Sequence, residues 1–318
     1  MKTFAVAHTY YHLLMLFAHE RQGGPIDRIA FVGDVEVPPQ VLAKMRRTVP
    51  NLVFVEGRWG QGGFAKRLRT RAISRALLRL KPAGVGRILV GTDIPPEMHA
   101  LLRAARAGGC SVGLVEDGIG VYLGGPDRLK RPGKLRLLAG KLAYGRGYQG
   151  AHLVGASPSV GHLLVTHPEL IRWKDALPLS VGPNDASRLA ALFEGELGAL
   201  DLEGCNLLLG PNPDNPRYEE LFARMLGIAR GMSAASYMKR HPRDARSAPE
   251  GFMELPAFLP VEALAGLGRR LGSLVTTVST PAYSLPLLAG KMRVHVVGAG
   301  KSERPLIQAL NPEVVFHD

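Results

Sequence analysis

Short apolar runs alternate with longer amphipathic stretches along the whole chain. Phe4-Ala5-Val6-Ala7, Ile29–Gly33, Leu52–Val55, Arg87–Gly91 and Val112–Val115 read as strands covered on both faces. Helices are expected between them over His12–His19, Pro38–Val49, Phe64–Leu80 and Pro96–Ala107, the last stopped by Gly108-Gly109. Strands separated by such helices pair in parallel through right-handed crossovers, so this half is expected to be doubly wound. A second series follows, with strands at Asn206–Gly210, Ser236–Lys239, Leu274–Val278 and Val294–Val297 and helices at Tyr218–Ala229, Leu259–Leu267 and Tyr283–Leu288. The intervening stretch is less regular. It suggests a basic, glycine-rich surface excursion over 124–150, a strand at Ala151–Val154, and helices near 157–166 and 185–198. The expected fold class is therefore α/β, with two Rossmann-like doubly wound domains, residues 1–200 and 201–318, divided near Leu200–Gly204.

Composition narrows the class of protein. At 318 residues, with 46% hydrophobic and 21% charged positions, the chain is long enough for two ordinary domains with their own cores. No apolar run is long enough for a membrane span, and the N-terminal stretch is interrupted by His8, Tyr10, Tyr11 and His12, unlike a secretory signal. Two cysteines, Cys110 and Cys205, make no disulfide or zinc framework, which points to a reducing, cytoplasmic setting.

The net charge of +13 lies in one half. Residues 1–150 hold 24 Lys and Arg against 10 Asp and Glu, whereas residues 151–318 hold 16 against 17. A basic half attracts polyanions: nucleic acid, an anionic bilayer face, or an acidic glycan or lipid. The basic segments 66–81 and 128–146 carry few aromatics beyond Tyr144 and no nucleic-acid module signature, which argues against nucleic acid.

Candidate chemistry gathers at strand ends. The run Val112–Val115 stops at Glu116-Asp117-Gly118, where an open α/β sheet places its ligands, and adjacent carboxylates can supply a general base. An Asp-Gly turn alone gives the same dipeptide a purely geometric role. His8, His12 and His19 have helical spacing, but without a suitable carboxylate they read as groups near an acceptor rather than metal ligands. The segment Gly298-Ala299-Gly300-Lys301-Ser302 is no phosphate loop, because His295 stands where the first glycine is required.

Glu116-Asp117-Gly118, His241-Pro242 and Ser279-Thr280 occur in an order that resembles the bacterial sialyltransferases of the lipooligosaccharide and polysialic acid groups. The resemblance is spread over about residues 1–290. It implies a GT-B-like architecture with two domains facing across a cleft, a CMP-activated donor such as CMP-sialic acid, and inverting transfer to a glycan or glycolipid without metal or cofactor. Glu116 or Asp117 would be the base, Glu116 being favoured and Asp117 positioning the loop. His241 with Pro242, Ser279 and Thr280 would bind the departing phosphate. Gly210 and Asn212 would form the first donor loop, where Pro211 stands in place of the relatives' glutamine, and Glu262 would bind ribose. The basic half would touch an acceptor or an anionic inner membrane. Other activated sugars (CMP-Kdo, UDP- or GDP-sugars) and a non-enzymatic polyanion-binding module remain as alternatives.

Overall fold

The computed structural model describes all residues except 34–36, 57–62, 124–132, 146–147, 149, 151–152, 199, 233, 242–243, 245 and 269–270. The chain divides into two compact units, residues 1–180 and 181–318.

The first unit runs β1 (Lys2–Ala7), α1 (Tyr10–Arg21), β2 (Arg28–Gly33), α2 (Pro39–Thr48), β3 (Leu52–Glu56), α3 (Gly63–Leu80), β4 (Val85–Val90), α4 (Pro96–Ala107), β5 (Ser111–Val115), α5 (Lys134–Tyr144), β6 (His162–Val165) and β7 (Ala176–Pro178). Its sheet has the order β3-β2-β1-β4-β5-β6-β7, parallel throughout. Helices cover both faces of such a sheet, so central strands must be apolar on both sides, and Phe4 to Ala7 are fully buried. Helix α1 is buried from Tyr11 to Ala18, with Thr9 capping it by accepting the His12 amide at 3.2 Å.

The second unit runs α6 (Pro183–Ala190), α7 (Glu194–Leu197), β8 (Asn206–Leu209), α8 (Tyr218–Arg230), β9 (Ser236–Lys239), β10 (Met253–Glu254), α9 (Val261–Ala265), β11 (Ser273–Thr276), α10 (Pro281–Ala289), β12 (Arg293–Val297), α11 (Arg304–Leu310) and β13 (Val315–His317). Its all-parallel sheet is ordered β10-β9-β8-β11-β12-β13, the doubly wound order again, with its switch point between β8 and β11. No helix among the described residues is long and apolar enough to cross a membrane.

The expected strands and doubly wound order are present, with three local differences. The stretch near 157–166, expected to be helical, contains strand β6, whose run His162–Val165 pairs with β5. Such a short apolar run fits either class until its neighbour is known. Residues 151–152 of the expected strand at Ala151–Val154 lie outside the described residues, while Leu153 and Val154 form no strand. The stretch 124–150 contains helix α5.

The expected division near Leu200 falls inside the second unit. Helix α6 packs on α9: Ser187 Oγ donates to the Gly266 carbonyl at 3.1 Å, and a Cβ at Gly266 would collide with the Ala186 carbonyl. That collision yields a direct check of the α6–α9 contact. Gly266→Ala is expected to cost about 1–3 kcal/mol, the range for overpacking a filled interface, read as a lower denaturant midpoint. An unchanged midpoint would remove the contact from the account of this unit.

Candidate active site

Strand β5 ends in a charge. The Glu116 amide still donates to Leu164 O at 2.9 Å in the sheet ladder, and the chain then breaks at Gly118, whose φ of 77° is open to glycine and strained for other residues. A 3-10 turn over Gly118–Val121 follows and brings Tyr122 back over the strand end.

The Glu116 carboxylate has no exposed surface. Tyr11 OH donates to Oε1 at 2.5 Å, while Oε2 accepts from Tyr122 OH at 2.5 Å, Thr166 N at 2.6 Å and Thr166 Oγ1 at 2.8 Å. Burial, followed by the Glu116 charge, pushes the Tyr122 phenol far above its ordinary range, so Tyr122 remains a donor. Glu116 is enclosed and saturated with donors, whereas Asp117 is 22% exposed.

Asp117 Oδ1 lies 2.5 Å from His12 Nε2. His12 is itself buried, and its Nδ1 accepts the His8 amide at 3.1 Å. A nitrogen that accepts carries no proton, so the proton of this imidazole is on Nε2, directed at Asp117. Gly91, at the end of β4, makes room for the ring: a Cβ there would collide with it. His12 was not among the expected catalytic residues. Its only sequence signal is its position in the first turn of the helix after β1, and its partner is 105 residues away.

The neighbouring strand end, at Asp93, is buried and committed to structure. Its carboxylate accepts the amides of Gly155 and Ser157, each at 2.7 Å, and so fixes the loop before β6. No three His, Cys, Asp or Glu side chains among the described residues are grouped to hold a metal.

In the second unit, Gly210, His241 and Ser279 follow β8, β9 and β11, three adjacent strands that include the switch point. The loops after β8 and β9 approach closely: a Cβ on Gly210 would stand 3.6 Å from the His241 amide nitrogen. His241 is half-buried, and its carbonyl accepts the Asp244 amide at 2.8 Å. Pro242 lies outside the described residues. Asn212 Oδ1 accepts the Asp214 amide at 3.0 Å, shaping the loop after β8. Ser279 Oγ lies 2.8 Å from Thr276 Oγ1. Thr280 precedes Pro281, its backbone already helical at φ −54°, and its side chain makes no capping bond to α10.

Glu262 is buried in the first turn of α9, 3.4 Å from Ser284 Oγ. Burial raises its carboxyl pKa, and the charge of Lys239 opposes that rise. Burial likewise lowers Lys239 to about 8, against the Glu262 charge, while its ammonium donates to Pro256 O at 3.2 Å and Ala257 O at 2.7 Å. Arg240 is buried and pairs with Asp244 at 3.1 Å and with Glu254 at 3.5 Å. Burial alone would raise the Asp244 carboxyl, but hydrogen bonds from Arg246 and Tyr218 hold it far below the usual range.

Two outcomes follow for the first unit. Glu116→Ala leaves buried donors without their acceptor and is expected to cost about 3–5 kcal/mol, whereas Asp117→Asn is expected to cost under about 1 kcal/mol, both by denaturant unfolding. Equal losses would contradict the division of roles. The second outcome concerns His8, whose pKa burial, then His12, lower from 6.5 to about 3 against the opposing charge of Asp117. The unfolded chain therefore takes up this proton first as pH falls below 6.5, and stability present at neutral pH is lost on the way to pH 3, by up to about 1.4 kcal/mol per pH unit. Stability measured against pH should fall less steeply in His8→Gln, and identical slopes would count against a buried neutral His8.

Neither a protein-family model nor a curated protein matches this sequence. Solved structures match over nearly the whole chain. A UDP-GlcNAc 2-epimerase from Methanocaldococcus jannaschii, solved with UDP-GlcNAc and UDP, superposes with a TM-score of 0.58 at 14% identity, covering 100% of this chain and 89% of that one. An α/β-galactoside α-2,3-sialyltransferase from the luminous marine bacterium Photobacterium phosphoreum gives 0.53 at 10% identity, covering 99% and 98%. Spinosyn forosaminyltransferase gives 0.52 at 12% identity, covering 100% and 86%. The chain shares with these proteins the α/β fold of GT-B glycosyltransferases and nucleotide-sugar epimerases.

Proposed function

We propose that the protein is an inverting, metal-independent glycosyltransferase that moves sialic acid from CMP-sialic acid to a hydroxyl of a cell-surface glycan or glycolipid, with Asp117 as general base. The observation that carries this reading is the Asp117–His12 pair. Among the described residues only Oδ1 of Asp117 is hydrogen-bonded, and the side chain is part exposed, so Oδ2 can take the proton of an acceptor hydroxyl. His12 has no lone pair left for that task, because Nδ1 accepts from His8 and Nε2 donates. It therefore orients the base.

In this mechanism the acceptor oxygen attacks the anomeric carbon while its proton passes to Asp117. The bond from that carbon to the phosphate oxygen breaks, and CMP departs with the electron pair. Inversion follows because entry and departure use opposite faces. His241, Ser279, Thr280 and the amino end of α10 would neutralise the leaving phosphate. Gly210 and Asn212 shape the donor loop, and Glu262 is assigned to the ribose. Support for a donor with a single phosphate comes from the neighbouring cations. Lys239 donates to two carbonyls and Arg240 pairs with two carboxylates, so both are engaged within the protein.

The test is nucleotide release by the purified protein given CMP-sialic acid, CMP-Kdo, UDP-sugars or GDP-sugars in a chelator. Free CMP from CMP-sialic acid is expected, falling by roughly 10²- to 10⁴-fold in Asp117→Asn with an unchanged unfolding midpoint. Turnover of UDP- or GDP-sugars alone would reject the donor assignment. Full activity in Asp117→Asn would reject the base.

A further inference from the structure

We infer that the outer face of α3 and α5 docks on an anionic phospholipid bilayer. Helix α5 has its apolar residues on the wrong side for a solvated surface helix. Gly140 faces the protein, where a Cβ would collide with the Tyr148 ring, and Leu137 is half-buried. The opposite side presents Leu135, Leu138 and Leu142, which are 84%, 56% and 73% exposed. Their spacing places them in one row, with the exposed Lys134 and Lys141 at its edge.

Beside that row lies a ridge of cations. Arg67, Arg71, Arg75 and Arg79 recur every fourth residue along α3, exposed, together with Leu68 at 51% exposure. The Arg71 guanidinium donates to the Leu142 carbonyl at 3.3 Å, which makes the two helices one surface. Like charges at this spacing oppose each other in a helix, and among the described residues no carboxylate pairs with these four.

A bilayer satisfies both halves of the surface. Leucines enter the acyl boundary while arginines meet lipid phosphates. Nucleic acid satisfies only the cations: it has no use for three exposed leucines, and the nearby Tyr144 and Tyr148 rings pack on each other and on His99 rather than standing open to bases. The surplus of Lys and Arg in residues 1–150 has the same sign as the ridge. This docking does not depend on the donor chemistry.

The test is co-sedimentation of the full chain with phosphatidylcholine vesicles, with and without phosphatidylglycerol. The protein is expected to bind only the anionic vesicles and to leave them as salt is added. The combined variant Leu135→Gln, Leu138→Gln, Leu142→Gln should lose about tenfold or more in binding. Arg67→Gln, Arg75→Gln, Arg79→Gln together should remove the preference for anionic lipid. In a separate Leu138→Trp protein the added indole should shift to the blue with anionic vesicles and be quenched by brominated acyl chains, a readout that needs no loss of binding. Failure to bind either vesicle, leucine variants that bind like the parent, or an indole untouched by bromolipid would overturn the proposal. So would duplex RNA that displaces the vesicles and binds the leucine variant undiminished, which would assign the ridge to nucleic acid.

Discussion

A carboxylate with no exposed surface, Glu116, is the group around which the first unit is arranged. Burying such a charge is costly unless its lone pairs are filled. The donors come from three places: Tyr11 on α1, Tyr122 after the 3-10 turn, and Thr166 after β6. One side chain thereby ties together elements far apart in sequence. The geometry also explains the next residue. Tyr11 and His12 are adjacent on α1 and meet Glu116 and Asp117, adjacent after β5, so the bond that satisfies the buried acid also orients the exposed one.

The second unit repeats the device with opposite charge. Arg240 is buried and locked by Asp244 and Glu254, while His241, the next residue, is less buried and lies beside the loop after β8. Successive residues leaving a strand point to opposite sides, so a dipeptide at a strand end places one group in the core and offers the other at the surface. In each pair the inner member is enclosed by protein partners. The chemistry proposed for this protein rests on the outer members.

Charge that is not matched internally has a different meaning. Lys239 and Arg240 have protein partners, but Arg67, Arg71, Arg75 and Arg79 on α3 pair with no carboxylate among the described residues, and the leucines beside them are open to solvent. The same residue types are internal fasteners in one place and an outward surface in another, and only the neighbours distinguish the two.

The buried strands and the helices between them were legible because burial on both faces writes continuous apolar runs into the chain, and parallel pairing requires crossovers. The strand ends at Glu116-Asp117, His241 and Ser279 could be found for the same reason: a run has to stop where the polar loop begins. Periodicity is local, however, and the decisive partners are not. Whether Glu116 or Asp117 faces solvent depends on Tyr11 and His12, each 105 residues away from its acid. The segment at His162–Val165 became a strand because β5 offered it an edge, and α6 belongs to the second unit because α9 leaves a glycine-sized gap for it. The sequence by itself determined the layered α/β plan and where polar groups would emerge. Only the tertiary structure decided which of two neighbouring acids is enclosed and which is part exposed, since desolvation depends on every group that packs around a site.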